Sequence, residues 1–154
     1  MPTVCSYRYY GLVLGVTLWL GSILLAPWLE SQHQGAGGGI YAFFSTVCHQ
    51  EPDRCFFFGG RPLAVCARCT GLYTGFWMGL LIIPHIPFLS SRLARRPRLI
   101  LWFFLPMAVD LLLFGINTHW SRMITGAIAS FPISVFVWWG LEQIRQPVIK
   151  RSLS

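Results

Sequence analysis

Four long runs of uncharged residues divide the chain, and they constrain its fold more than any other feature. The first two runs hold 21 and 23 residues, the third holds 23 residues interrupted only by Asp110, and the fourth holds 19. They lie between Arg8 and Glu30, Arg68 and Arg92, Arg98 and Arg122, and Arg122 and Glu142. Because a helix needs about 20 mostly apolar residues to cross a bilayer, we expect four transmembrane helices.

The composition supports a membrane protein and leaves little chain for a soluble domain. Of the 154 residues, 55% are hydrophobic and 11% are charged, whereas soluble domains carry about 25% charged residues. We therefore expect a single all-α membrane domain over residues 1–154, a four-transmembrane-helix bundle with a Cys-rich outer segment between helices 1 and 2. The expected spans are about 10–28, 63–83, 99–116 and 123–141, and Ser121 is expected to cap the fourth helix.

The distribution of basic residues predicts the orientation. One side of the predicted bundle carries eight of the 12 Lys and Arg residues, namely Arg8, Arg92, Arg95, Arg96, Arg98, Arg145, Lys150 and Arg151. The other side carries four, namely Arg54, Arg61, Arg68 and Arg122. The side richer in Lys and Arg is normally cytoplasmic, so this multi-pass chain should have both termini in the cytoplasm. The net charge of +7 is then explained by contacts with anionic lipid headgroups, and no nucleic-acid partner is expected.

The segment between the first two spans is too apolar for a solvated loop and too short to cross the membrane. It begins with polar residues and continues into a glycine-rich stretch, 35–39, which is typical of a hinge. Two apolar stretches follow, 40–47 and 56–58. We expect them to lie on the bilayer surface or to fold against the mouth of the bundle, which would bring Cys48 towards the start of the second span.

Four of the five cysteines lie within 22 residues of this outer region: Cys48, Cys55, Cys66 and Cys69. A C-x-x-C pair at the start of a helix aims two thiolates at one point, which suits a metal ion. With Cys48 and His49 upstream and Cys55 also available, the predicted ligands are either Cys48, His49, Cys66 and Cys69 or the four cysteines, and the expected metal is zinc or iron.

Two other interpretations of the same residues remain open. Cys66 and Cys69 have the spacing of a redox dithiol, and Cys48 and Cys55 would then be further redox candidates. An outward-facing compartment is oxidising, so plain structural disulfides are also compatible with the pattern.

Residues within the spans suggest a polar site and a helix contact. Asp110 is an intramembrane acid, which should face the bundle interior with a partner, and Arg68 and Arg122 lie within reach. These three residues form either a structural ion pair or a ligand-binding or proton-binding site. A stripe of Gly71, Gly75 and Gly79 permits close approach of a neighbouring helix, with Cys66, Cys69 and Tyr73 on a different face. Gly11 and Gly15 repeat this spacing in the first span.

The motifs resemble those of a family of small prokaryotic membrane proteins known as a domain of unknown function. The resemblance rests on Cys48-His49-Gln50, Asp53-Arg54, Cys66-Ala67-Arg68-Cys69-Thr70-Gly71, Pro106-x3-Asp110 and Asn117-x4-Arg122-x3-Gly126, and covers roughly 44–126. The family usually has serine where this chain has Cys55, which favours Cys48, His49, Cys66 and Cys69 as the working set. The resemblance implies the membrane fold and the site, and it implies no activity.

Two broader analogies supply alternative functions. The architecture looks like that of four-helix, quinone-linked thiol oxidoreductases, an analogy of fold alone, and in that case the cofactor is a quinone. A third possibility is an accessory subunit of a larger membrane complex. Besides the lipid bilayer, the partners would then be other membrane subunits or further copies of the chain.

Overall fold

The protein is mostly helical, as the uncharged runs predict. The computed structural model describes residues 7–33, 35–86, 88, 92–93, 98–112 and 118–141. Its helices are α1 (Tyr7–Gln32), α2 (Gly38–Ser45), α3 (Ala67–Ile82), α4 (Leu99–Leu112) and α5 (His119–Ser130). Asn117 and five basic residues used to predict the orientation, Arg95, Arg96, Arg145, Lys150 and Arg151, lie outside the described residues.

Short elements connect α2 to α3. A single turn of 3-10 helix, Pro52–Arg54, is followed by β1 (Phe57–Phe58) and β2 (Arg61–Pro62), which pair as an antiparallel hairpin. Gly59 and Gly60 form its turn, each with a positive φ that favours glycine. Another 3-10 turn, Ile83–His85, ends α3 at a proline.

In the described part of the chain, two helices are long and apolar enough to cross a membrane. They are Tyr7–Gln32, with 26 residues, and His119–Leu141, with 23 residues, which continues α5 past a turn at residues 131–132. Leu99–Leu112 is a shorter apolar helix of 14 residues, and α3 has 16. All four predicted spans thus contain a helix, while four complete membrane crossings stay a prediction.

The closest contact between helices is made by α3 and α5, through glycine. Gly71, Gly75 and Gly79 are buried, and a Cβ atom on the first two would collide with the α5 backbone at Met123 and Ala127. In return, Gly126 of α5 lies against the backbone oxygen of Arg68. The prediction that this stripe packs against a neighbouring helix is confirmed.

Two apolar cores lie at opposite ends of α3. The first joins α1, α2 and the residues before α3, and contains Ile23, Ala26, Phe44, Cys48, Leu63, Ala64 and Val65. The second lies past the C-terminal end of α3 and contains Ile83, Leu93 and Val135. Phe44 is fully buried in the first core, so the stretch 40–47 folds against the bundle, one of the two placements predicted for it.

The beginnings of α3 and α5 are set by their caps. Cys66 is the N-cap of α3, with an extended backbone, so that helix begins at Ala67 rather than near residue 63. Thr118 caps α5, because its side-chain oxygen accepts a hydrogen bond from the Ser121 backbone N–H at 3.1 Å. The prediction that Ser121 caps this helix was wrong, since the helix begins at His119 and Ser121 already lies in its first turn.

Candidate metal centre

Three cysteines reach the site from two parts of the chain. Cys48 follows α2, and its backbone N–H bonds to the Phe44 oxygen at 2.9 Å, which ties it to the buried end of that helix. Cys66 caps α3, and Cys69 lies in the first turn of the same helix. Because residues at i and i+3 lie on one helix face, Cys66 and Cys69 point together towards Cys48.

The three thiol groups form one compact cluster. The sulfur atoms of Cys48, Cys66 and Cys69 all lie within 4.8 Å of one another. The Cys66 backbone N–H donates a hydrogen bond to the Cys48 sulfur at 3.2 Å. Cys48 is buried, and the other two are half-buried. The partial positive charge of the α3 N-terminus favours thiolate at this position.

The loop that carries Cys48 is held in place by Gln50, a residue whose role sequence reasoning missed. Its side-chain amide donates to the backbone oxygens of Tyr41 and Ala64, both at 2.8 Å, and its backbone has a positive φ of 53°. Tyr41 in turn donates from its hydroxyl to the Pro62 oxygen at 2.5 Å. Gln50 therefore links α2 to the residues just before Cys66, and the quoted Cys48-His49-Gln50 motif was the available signal.

The glycine-rich stretch is a bonded turn in the structure. The Glu30 carboxylate accepts hydrogen bonds from the backbone N–H groups of Gly35 and Gly37, at 3.0 and 3.1 Å. Gly37 is buried against the Ala26 backbone oxygen, where a Cβ atom would collide. This turn brings α2 back onto α1 and so helps to place Cys48.

Two predicted candidates do not join the three sulfur atoms. His49 is exposed and is not part of the sulfur cluster. Cys55 is buried, and its thiol donates to the Glu51 backbone oxygen at 3.2 Å. Burial, together with the nearby Cys66 and Cys48, raises the pKa of the Cys55 thiol to about 12. Cys55 therefore remains a neutral thiol beside the cluster.

The polar group predicted inside the spans is a bonded ion pair. The Arg68 Nη2 atom donates to the Asp110 Oδ2 atom at 2.8 Å, and the Ser121 hydroxyl donates to the Oδ1 atom at 2.5 Å. Asp110 is buried. Arg122 adds a favourable charge interaction with the same carboxylate. Since Arg68 lies between Cys66 and Cys69, this network joins the first turn of α3 to α4 and α5.

A second contact joins the loop between α2 and α3 to α5. The His119 Nε2 atom lies 3.1 Å from the Asp53 backbone oxygen. The ring of Phe56 contacts those of His119 and Trp120, with centroids 5.8 and 5.1 Å apart. His119 is thus a structural residue at the N-terminal end of α5 that holds the loop against this helix.

Three convergent cysteine sulfurs, deprotonated when they bind a metal, are a donor set for soft or borderline metal ions. Zinc binds cysteine sulfur at about 2.3 Å, and sulfur-rich sites also select iron and copper(I). The burial of Cys48 and the hydrogen bond to its sulfur provide the ordered surroundings that a metal site requires. The donor chemistry therefore fits an ion such as zinc or iron, and the three cysteines are the residues that would hold it.

These features define a class: a small helical membrane protein with a thiol cluster where the loop after α2 meets the N-terminus of a tightly packed helix. The chain belongs to a family of predicted membrane proteins, DUF2085, whose family model matches residues 48–136. The matched region begins at Cys48 and includes every candidate ligand and the Arg68–Asp110 pair.

Two archaeal relatives are similar to the chain, and both are uncharacterised. Protein MJ1492 of Methanocaldococcus jannaschii is 35% identical over 141 residues, which covers 84% of this chain and 90% of the relative. A protein of Methanothermobacter thermautotrophicus is 50% identical over 32 residues, 21% of this chain and 29% of the relative. No solved structure matches the chain.

Proposed function

We propose that this protein is an integral membrane metal-binding protein, and that Cys48, Cys66 and Cys69 bind one zinc or iron ion. The observation that carries the proposal is the convergence of three sulfur atoms within 4.8 Å from separate parts of the chain. Three thiolates bound to one ion avoid the mutual repulsion that separate thiolates would experience. The sequence predicts His49, adjacent to Cys48, as a fourth ligand, and the cobalt(II) spectrum of His49→Ala tests that prediction.

The test is metal analysis of the full chain purified in detergent, combined with thiol counting. We expect about one zinc or iron ion per chain, and thiols that resist alkylation until a chelator is added. Cys66→Ser removes a ligand and should lose the ion. Cys55→Ser is the matched control, because its hydroxyl can still donate to the Glu51 oxygen, and it should keep the ion.

The same measurements separate the alternative functions. If the purified chain lacks metal, and Cys66 and Cys69 react only after reduction, the metal site is rejected in favour of a thiol–disulfide oxidoreductase. A quinone is then the candidate oxidant. A chain without metal whose thiols all react freely would contradict both chemistries and favour the accessory-subunit role.

We also propose the arrangement of the chain in the membrane. The helices α1, α3, α4 and α5 would each cross the bilayer, with both termini in the cytoplasm and the cysteine cluster at the outer face. The excess of Lys and Arg on one side supports this orientation. Reporter fusions after Arg98 and at the C-terminus should both indicate the cytoplasm, whereas a fusion near Gly38 that did so would contradict the proposal.

A further inference from the structure

A tetrahedral metal ion held by three cysteines has one more coordination position. The residues around the sulfur cluster determine which ligand can occupy that position. Structural zinc sites are closed by a fourth protein ligand, whereas reactive sites keep that position for an exogenous ligand. Within the part of the chain that the structure describes, the sulfur cluster contains no fourth donor. His49 is exposed, and the Cys55 thiol is bonded to the Glu51 oxygen.

Two side chains with polar tips pack against the same apolar core as the three cysteines. Trp19 of α1 and Tyr73 of α3 both pack against the apolar core that contains Cys48, and their rings make an edge-to-face contact with centroids 5.6 Å apart. Tyr73 lies one helical turn beyond Cys69 on the same face. Its hydroxyl interacts electrostatically with Cys69, Cys48 and Cys66.

The indole nitrogen of Trp19 supplies a second, independent observation. This atom is buried and makes no hydrogen bond of good geometry to any residue that the structure describes. The Tyr73 hydroxyl is near enough to interact with it, but does not satisfy it. A buried donor without a well-aligned acceptor is unfavourable, so an acceptor bound beside Trp19 would be favoured.

We infer that a metal ion held by Cys48, Cys66 and Cys69 keeps an open coordination position on the side of Trp19 and Tyr73. The ligand there is water or a small anion, because the two aromatic side chains offer hydrogen-bond donors to it. The apolar remainder of the core limits the size of that ligand. The inference rests on the proposed metal site and adds to it that the site is open rather than structural.

The test uses the full chain in detergent with cobalt(II) in the site, since the visible spectrum of cobalt(II) reports its ligands. Azide is the probe. We expect azide to change the spectrum in a saturable way, with the cobalt content per chain unchanged. A spectrum that does not respond to azide at any concentration would overturn the inference.

Variants identify the residues around the open position. Tyr73→Phe removes one hydrogen-bond donor and should weaken azide binding about tenfold, an effect typical of residues just outside the ligand shell, while cobalt still binds. Tyr10→Phe is the matched control, because Tyr10 is exposed on α1 and makes none of the contacts described for the site, and it should leave azide binding unchanged. Equal azide affinity in the two variants would contradict the role of Tyr73.

His49→Ala tests the rival ligand. The inference expects the cobalt spectrum and the azide response of this variant to match those of the unaltered chain. If His49→Ala changes the spectrum and first makes the site responsive to azide, His49 closes the site and the inference fails while the metal site stands. If the unaltered chain binds no cobalt, the proposed metal site fails as well.

Discussion

The helices α1 and α3 carry the same glycine spacing but use it differently. In α3, Gly75 is buried and its Cα faces the backbone of Ala127 on α5. In α1, a Cβ atom built on Gly11 or Gly15 would meet nothing within 4 Å. Glycines four residues apart therefore permit close helix contact, but they do not determine whether a helix makes one.

The difference follows from the surface that each helix meets. The α3 stripe meets small residues, including Gly126 and Ala127, so the two backbones approach each other directly. By contrast, α1 contacts α3 through side chains: the Tyr9 hydroxyl donates to the Leu80 oxygen at 3.0 Å, and the Trp77 indole donates to Thr17 at 2.9 Å. An apolar cleft of about 500 Å³ lies among α1, α3 and α5.

The largest effect is expected from the ion pair that anchors the first turn of α3. Arg68→Ala removes the guanidinium bonded to the buried Asp110 carboxylate, and breaking a buried ion pair typically costs about 3–5 kcal/mol. Asp110→Asn should cost less, because the amide oxygen can still accept from Ser121 and the charge that loses its partner, Arg68, is 25% exposed. The free energy of unfolding in detergent measures both.

Arg8→Ala in α1 is the control for this loss, because Arg8 is exposed and such changes usually alter stability by less than about 0.5 kcal/mol. If Arg68→Ala is as stable as Arg8→Ala, the ion pair does not hold α3 in the way that its geometry indicates.

A smaller effect is expected at the glycines themselves. Gly75→Leu forces a side chain against the Ala127 backbone, and overpacking of this kind costs about 1–3 kcal/mol. Gly15→Leu adds the same side chain to α1 at an open position and should be close to neutral. Thermal unfolding of the two variants in one detergent compares them. Equal destabilisation would mean that α1 is packed as tightly as α3.

Several parts of the fold and the site were predictable because they depend on local pattern. Uncharged runs locate helices, since an apolar segment of this length has few other stable states in a membrane. The C-x-x-C spacing places Cys66 and Cys69 on one face wherever the helix begins. The glycine stripe of α3 also indicated a close contact, although not the helix that makes it.

Other features were not predictable because they depend on contacts between distant segments. From the sequence, both Arg68 and Arg122 were possible partners of Asp110. Only the relative positions of α3 and α4 show that Arg68 bonds Asp110 directly. The bonds of Gln50 to Tyr41 and Ala64 join backbone groups 9 and 14 residues away. The Cys48-His49-Gln50 motif does not indicate which backbone oxygens accept the hydrogen bonds of Gln50.

The sequence by itself determined that this is a helical protein of the membrane class with a C-x-x-C pair near the start of α3, because hydrophobic length and residue spacing act along the chain. Only the tertiary structure decided which side chains meet. It brought Cys48 to Cys66 and Cys69 but left His49 exposed, and it packed Trp19 and Tyr73 against the apolar core that contains Cys48. Neighbouring residues in a loop point in different directions, so proximity in sequence does not determine which of them enters a site.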